Sequence, residues 1–244
     1  MDTIKTRLAG VRQQIETAMQ TYGRDQGSVV LLAVSKTRPV DDILDAVRAG
    51  QRSFGENYPQ EALEKIQSLR REPIEWHFIG RIQSNKTRLI AENFHWVHSV
   101  DSLKQAQRLN NQRPPQLPPL NICLQIKVDP ETTKGGLSPS EAGALAVCFS
   151  SLPRLRLRGL MTLPAPTTDP RAQRLPFRKL RLLLQHLNRQ GLDMDTLSMG
   201  MSGDLEAAIA EGSTIVRVGT AIFGRRDSQP SFDPDNLQHQ NLKE

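Results

Sequence analysis

The stretch VVLLAVSK, residues 29–36, is a continuous apolar run that ends on a lysine. Seven further short apolar runs follow it along the chain, at residues 53–57, 75–80, 95–100, 121–128, 157–163, 196–202 and 214–224. Continuous apolar strands separated by helices are typical of parallel strands covered on both faces. Eight such units predict an α/β fold in which one domain closes into a (β/α)8 TIM barrel.

Helix signals separate the apolar runs. A periodic segment with Gly23 beyond its end predicts an extra N-terminal helix before the first strand. Later signals include a capping box, SPSE at residues 138–141, and Asp169-Pro170 before a Leu-rich segment that Pro176 should kink or divide into two pieces. An open doubly wound sheet is the alternative, but no GxGxxG sequence follows the first strand.

Length and composition are those of an ordinary soluble protein. The 244 residues allow one well-buried core, with 37% hydrophobic and 24% charged residues. We expect residues 1–228 to form the barrel and residues 229–244 to form a polar C-terminal tail. No apolar run approaches the ~20 residues of a membrane span, and no secretory signal is evident, so we expect a cytoplasmic protein without membrane contact.

Charge and cysteine content exclude other classes of function. The net charge is +6, yet the basic residues are scattered and aromatic residues make up only 5%, so no nucleic-acid partner is expected. Cys123 and Cys148 form no CxxC pair and have no histidine at ligand spacing. We therefore expect no metal site.

Lys36 is the first candidate functional residue. In these barrels, function is located at the C-terminal ends of the strands, where Lys36 stands. Side chains alternate along a strand, and Lys36 lies two and four residues beyond Val34 and Leu32, so it points inward if they do. Burial lowers the pKa of a lysine, and a neutral amine can form a Schiff base with an aldehyde. The alternative is a lysine that turns to solvent.

The last two strands supply a candidate anion site and a buried cation. Small residues follow both strands, with hydroxyls at Ser202 and Thr220, where phosphate sites of these barrels are commonly built. Ordinary turn glycines are the alternative interpretation. Arg217 lies two residues from Gly219, so it faces the interior if Gly219 does, and a charge held there needs an acceptor such as a pyridine nitrogen. An aldehyde-capturing amine, a phosphate site and this arginine together describe pyridoxal 5′-phosphate (PLP).

Six ordered motifs carry a resemblance: AVSKT (33–37), FGEN (54–57), HFIGRIQSNK (77–86), GLMT (159–162), SMGMSGDLEAAI (198–209) and VRVGTAIFG (216–224). The set resembles that of the pyridoxal phosphate homeostasis protein family, whose fold is similar to the barrel domain of alanine racemase. CLQIKVDPETTKGG (123–136) is similar to its cyanobacterial branch.

The resemblance implies roles for individual positions. Lys36 matches the lysine that forms the Schiff base, and Arg217 matches the arginine at the ring nitrogen. Phosphate contacts and residues lining the cofactor are also implied, at Ser202, Gly219, Thr220, Asn57 and Met161. His77 is expected to be a core residue satisfied by backbone groups, without a chemical role.

The resemblance further implies a PLP carrier or regulator of vitamin B6 balance, without catalytic residues. Alanine racemase needs a second domain and a second acid/base, for which this chain offers no candidate besides Lys36. A PLP enzyme with weak amino-acid racemase or lyase activity is the alternative. We expect a monomer that holds PLP and has PLP-dependent apo-enzymes as candidate partners.

Overall fold

Eight parallel strands close into a barrel in chain order, with the last strand paired to the first. The computed structural model describes residues 3–128 and 135–225. Its strands are β1 (Val30–Val34), β2 (Ser53–Glu56), β3 (Glu75–Phe78), β4 (Trp96–Val100), β5 (Leu120–Gln125), β6 (Leu155–Met161), β7 (Thr196–Ser198) and β8 (Ile215–Val218). Each lies within or near a predicted apolar run, and the predicted (β/α)8 barrel is confirmed.

Helices surround the barrel and include the predicted extra helix α1. In the described ranges they are α1 (Ile4–Thr21), α2 (Val40–Arg48), α3 (Pro59–Ser68), α4 (Thr87–Asn93), α5 (Leu103–Gln112), α6 (Pro139–Cys148), α7 (Pro170–Arg189), α8 (Leu205–Ala210) and α9 (Thr220–Phe223). Helix α1 packs against α2, α8 and α9. None of the helices just given is long and apolar enough to cross a membrane.

The predicted caps are present, but the predicted division of the helix into two pieces at Pro176 is wrong. Ser138 and Glu141 form a reciprocal capping box at α6, and the Asp169 side chain caps α7. Helix α7 runs unbroken through Pro176. A proline removes one backbone donor, whereas the buried face of this helix includes Phe177, which is fully buried, and further residues that anchor it on the barrel.

Alternate residues of the strands serve two separate cores, except where register shifts between β4 and β5 and between β5 and β6 interrupt the alternation. On β8, Val216 and Val218 belong to the large core between the strands and the helices. Trp96, Cys123 and Met161 form a small apolar cluster inside the barrel. The other side chains that enter the barrel interior include polar ones, and this inner set determines the functional site. The predicted tail at residues 229–244, with its boundary at 228, lies outside the described residues.

Candidate functional site

Lys36 lies two residues beyond β1, at the C-terminal end of the barrel, and is partly buried. Its neighbour Thr37 has φ 61°, a left-handed backbone that a β-branched residue rarely adopts. The Thr37 backbone N–H donates to Glu61 Oε1 at 2.5 Å. The turn that carries Lys36 is therefore held by a side chain of α3.

A buried ionic cluster, which sequence reasoning missed, lies behind this turn. Lys65 Nζ donates to the Ser35 carbonyl at 2.8 Å, to Glu56 Oε1 at 2.9 Å and to Glu61 Oε1 at 2.6 Å. Ser35 Oγ donates to Glu56 Oε1 at 2.6 Å. Burial raises the pKa of Glu56, although Lys65 opposes that shift. The i,i+4 spacing of Glu61 and Lys65 was the available signal in the sequence.

Arg217 points into the barrel, as its parity predicts, and is only 4% exposed. It pairs in register with Leu32 on β1. One terminal nitrogen, Nη1, donates to the Ser198 carbonyl at 2.6 Å and to Ser198 Oγ at 2.8 Å, and Nη2 donates to the Thr162 carbonyl at 2.9 Å. Burial lowers the pKa of Arg217 to about 10. The cation is thus fixed among oxygen acceptors of β7 and the end of β6.

The turns after β7 and β8 lie at the same end of the barrel as Lys36. Ser202 and Thr220 are exposed there. The Arg217 backbone N–H donates to the Gly200 carbonyl at 2.9 Å and so ties the two segments together. A Cβ on Gly219 would lie 3.2 Å from the Val34 carbonyl oxygen, which is tighter than ordinary packing. The turn after β8 therefore sits close against the end of β1.

Asn57 and Met161 come from two other strand ends. Asn57 directly follows β2, and its Oδ1 is buried without a hydrogen-bond partner among the described residues. A Cβ on Gly80 would lie 2.1 Å from the Asn57 carbonyl oxygen, so the ends of β2 and β3 approach closely. Met161 ends β6, is 1% exposed, and packs in the barrel interior with Trp96 and Cys123.

These groups suit a pyridine cofactor with an aldehyde and a phosphate. Arg217 has five N–H donors, and the three contacts above occupy at most three of them, which leaves donors for a ring nitrogen. The buried Asn57 oxygen needs a donor. Exposed hydroxyls on two adjacent turns can bind an anion, and Lys36 carries a primary amine.

His77 is buried, as expected, but the predicted backbone partners are wrong. Its Nδ1 lies 2.9 Å from His98 Nε2, and its Nε2 lies 3.0 Å from Glu75 Oε2. The backbone groups beside it are used in pairing β3 with β2 and β4, so side chains satisfy the ring. His98 in turn contacts Ser198, which binds Arg217.

Comparisons with known proteins agree on the family. The family model described as alanine racemase, N-terminal domain, matches residues 7–227. The pyridoxal phosphate homeostasis protein of Pseudomonas aeruginosa is 58% identical over 227 residues, which are 93% of this chain and 97% of that protein. Alanine racemase from Corynebacterium glutamicum shares the fold, with a TM-score of 0.66 at 16% identity over 88% of this chain and 60% of its own.

A solved relative from a cyanobacterium is more distant. PipY of Synechococcus elongatus with PLP bound superimposes with a TM-score of 0.81 and is 37% identical, covering 91% of this chain and all of its own. The Pseudomonas relative, at 58% identity, is more similar to this chain than PipY is. Residues 129–134 of the segment that suggested a cyanobacterial branch lie outside the described residues. The chain belongs to the pyridoxal phosphate homeostasis protein family.

Proposed function

We propose that this chain binds PLP at the C-terminal end of its barrel and serves PLP homeostasis as a carrier or regulator, not as an enzyme. The Pseudomonas aeruginosa relative is a pyridoxal phosphate homeostasis protein, and PipY has been solved with PLP bound. The site described above offers a complementary group for each reactive part of PLP.

The observation that carries the proposal is the buried guanidinium of Arg217. A permanent cation with 4% exposure is costly inside a barrel unless acceptors surround it. Ser198 and Thr162 supply some of these acceptors and fix the side chain. A pyridine nitrogen is a suitable further acceptor for the donors that remain.

Other residues are assigned to the remaining parts of the cofactor. Lys36 takes the aldehyde, because its turn is fixed at the mouth of the barrel. Ser202, Gly219 and Thr220 receive the phosphate, since the adjacent turns present hydroxyls and backbone N–H groups. Asn57 and Met161 line the space between them.

Bound PLP supplies an aldehyde that reacts with amines and a ring that can accept electrons. Arg217 donates to the ring nitrogen and disfavours its protonation, so the ring accepts electrons less readily. Lys36 is then the one assigned group able to move a proton at the site, whereas two-sided proton transfer needs two such groups. The proposed role is therefore holding PLP without appreciable turnover.

Absorbance spectroscopy with covalent trapping tests the proposal. Adding PLP to the purified chain should produce a visible band that saturates at one equivalent, and borohydride should then fix the cofactor to Lys36 in peptide mass mapping. A protein that stays colourless with excess PLP contradicts the proposed function. Fixation at another lysine would contradict the assignment of Lys36.

Activity and assembly have separate tests. Incubation of the PLP-loaded protein with single amino acids should give neither racemisation nor keto-acid release. Sustained turnover would favour a weak racemase or lyase instead. Light scattering after gel filtration should give the mass of a monomer. Loaded protein mixed with a PLP-dependent apo-enzyme should restore that enzyme's activity if the chain delivers its cofactor.

A further inference from the structure

Four side chains form a continuous hydrogen-bonded chain through the barrel interior to Arg217. Glu75 Oε2 lies 3.0 Å from His77 Nε2, and His77 Nδ1 lies 2.9 Å from His98 Nε2. His98 Nδ1 lies 2.7 Å from Ser198 Oγ, which accepts from Arg217 Nη1 at 2.8 Å. We call Glu75, His77, His98 and Ser198 the relay.

The relay joins the two ends of the barrel. Glu75 is the first residue of β3, at the N-terminal mouth, and its side chain is 46% exposed. Ser198 is the last residue of β7, at the end where Lys36 lies, and is fully buried. His77 and His98 are buried between them. A solvent-facing carboxylate is thus linked to the buried Arg217.

Trp96 holds the exposed end of the relay. Its ring stacks on His77 with 5.5 Å between centroids and 5° between planes, and its Nε1 donates to Glu75 Oε1 at 3.1 Å. The guanidinium of Arg158 covers Trp96 at 4.8 Å. Both oxygens of Glu75 are therefore engaged, one by each ring.

The groups at the two ends of the relay determine which atom donates in each hydrogen bond between them. Hydrogen bonding by His77 lowers the pKa of Glu75 to about 2, so at neutral pH this carboxylate only accepts. His77 must then carry its proton on Nε2, and its Nδ1 accepts from His98 Nε2. By the same reasoning His98 Nδ1 accepts from the Ser198 hydroxyl. Arg217 can only donate. The Ser198 oxygen can accept this hydrogen bond, because its hydroxyl proton is directed at His98 and its lone pairs remain available.

This assignment requires neutral histidines. Burial lowers the pKa of His77 and of His98, although Glu75 opposes the shift at His77. Other titratable or charged groups lie near the relay: His95 acts on Glu75, and Arg217 acts on His98. Cys123 and Arg158 contact Trp96, and Asp195 pairs with Arg158. Positive charge on His77 or on Arg217 disfavours protonation of His98, and burial disfavours protonation of both rings.

We propose that the four relay residues are positioning residues. The ionised carboxylate of Glu75 at the N-terminal mouth determines which atom donates in each hydrogen bond of the relay, and it thereby orients Ser198 Oγ as an acceptor for the Arg217 guanidinium. This inference rests on the proposed function only for the pyridine nitrogen that Arg217 contacts. Glutamine at position 75 can donate as well as accept. In Glu75→Gln, His77 is therefore no longer required to carry its proton on Nε2. His98, two links farther along, should then no longer be held in one tautomer.

Imidazole ¹⁵N spectra of the cofactor-free, full-length protein test the tautomers, and five histidines keep these spectra simple. In the wild type, His77 and His98 should both be protonated on Nε2 and stay neutral between about pH 5 and 8. Glu75→Gln should give mixed or reversed tautomers at His98. Glu64→Gln, the same change at an exposed site on α3, should leave them unaltered. A wild-type His98 protonated on Nδ1, or one unmoved by Glu75→Gln, would overturn the relay.

A second arm adds PLP to the same samples while absorbance reports binding. Saturation should shift the His98 signals in the wild type, and Ser198→Ala should abolish that shift because it removes the hydroxyl link. If PLP binds the wild type and the His98 signals do not shift, the proposed link between the relay and the ring nitrogen is refuted. If PLP does not bind at all, the proposed function fails, and the tautomer measurement still decides whether the relay exists.

Discussion

Lys65 on α3 lies 2.9 Å from Glu56 at the end of β2, and both side chains are almost completely buried. The same ammonium group binds the carbonyl of Ser35, the residue before Lys36. An ion pair outside the barrel interior therefore fixes the turn that presents the candidate amine. Its removal should affect both folding and cofactor binding.

Lys65→Met should destabilise the protein by about 3–5 kcal/mol, because it leaves the charge of Glu56 buried and unpaired. Urea unfolding followed by circular dichroism measures this. Burial already raises the pKa of Glu56, so the loss should shrink at lower pH, where a protonated Glu56 carries no charge. The exposed Lys104→Met is the matched control. A loss equal to that of the control would show that the cluster contributes nothing to stability.

Lys36→Ala should abolish covalent trapping of PLP while leaving weaker, reversible binding. The amine supplies the covalent link, but the proposed phosphate contacts come from other strands. Equilibrium dialysis measures the residual affinity, and borohydride reduction followed by mass spectrometry measures the covalent fraction. Lys104→Ala should behave as the wild type. Undiminished trapping in Lys36→Ala would rule out this lysine as the attachment point.

Arg217→Lys should lower stability and weaken PLP binding, although it keeps a positive charge. An ammonium group cannot reproduce the planar guanidinium that reaches Ser198 and Thr162 together, so buried acceptors lose a donor. The expected loss of unfolding free energy is about 1–3 kcal/mol. Arg156→Lys, at an exposed position of β6, is the control. Wild-type stability and affinity in Arg217→Lys would contradict the assigned role.

Gly219→Ala should weaken PLP binding more than it affects folding. Its φ of −117° allows a side chain, but the added Cβ would press on the end of β1 at Val34. The turn must then move away from the proposed phosphate position. PLP titration by absorbance tests this, with urea unfolding alongside. Gly10→Ala, whose Cβ meets open space on α1, is the control. Equal PLP affinity in both variants would show that the turn after β8 accommodates the added Cβ without moving.

Stability should fall as pH drops below about 6.5, and His98 should contribute to the fall. Burial holds the pKa of His98 well below its ordinary value, so the unfolded chain takes up a proton that the folded chain does not. Each such group contributes up to about 1.4 kcal/mol per pH unit between its unfolded and folded pKa.

Urea unfolding at pH 7.5 and 5.5 measures this slope. His98→Gln should have a shallower slope than the wild type, whatever its stability at pH 7.5. An unchanged slope would mean that His98 takes up its proton in the folded state. His186→Gln, at an exposed position of α7, is the control.

Much of the fold follows from local sequence. Eight apolar runs predict eight strands, and capping residues such as Ser138 predict where helices begin, because both signals depend on neighbours in the chain. Strand alternation alone predicts that Arg217 points inward while Val216 packs against helices. The roles of Lys36, Arg217 and the phosphate site rest on the residues and on a resemblance, those of Asn57 and Met161 rest on the resemblance alone, and all stay predictions.

The relay could not be predicted in the same way, and the i,i+4 spacing of Glu61 and Lys65 indicates only one ion pair of the ionic cluster. Glu75 and Ser198 stand on strands far apart in sequence, and nothing near either residue indicates a partner. The expected division of the helix at Pro176 fails for a similar reason, because one lost hydrogen bond matters less than the buried face of α7.

The sequence by itself determined the strand count, the inward direction of Arg217 and the chemistry available at the strand ends. Only the tertiary structure decided which of the inward-pointing groups meet. Barrel closure brings β3, β4, β7 and β8 around one interior, where buried polar groups such as His98 and Ser198 need hydrogen-bond partners from other strands.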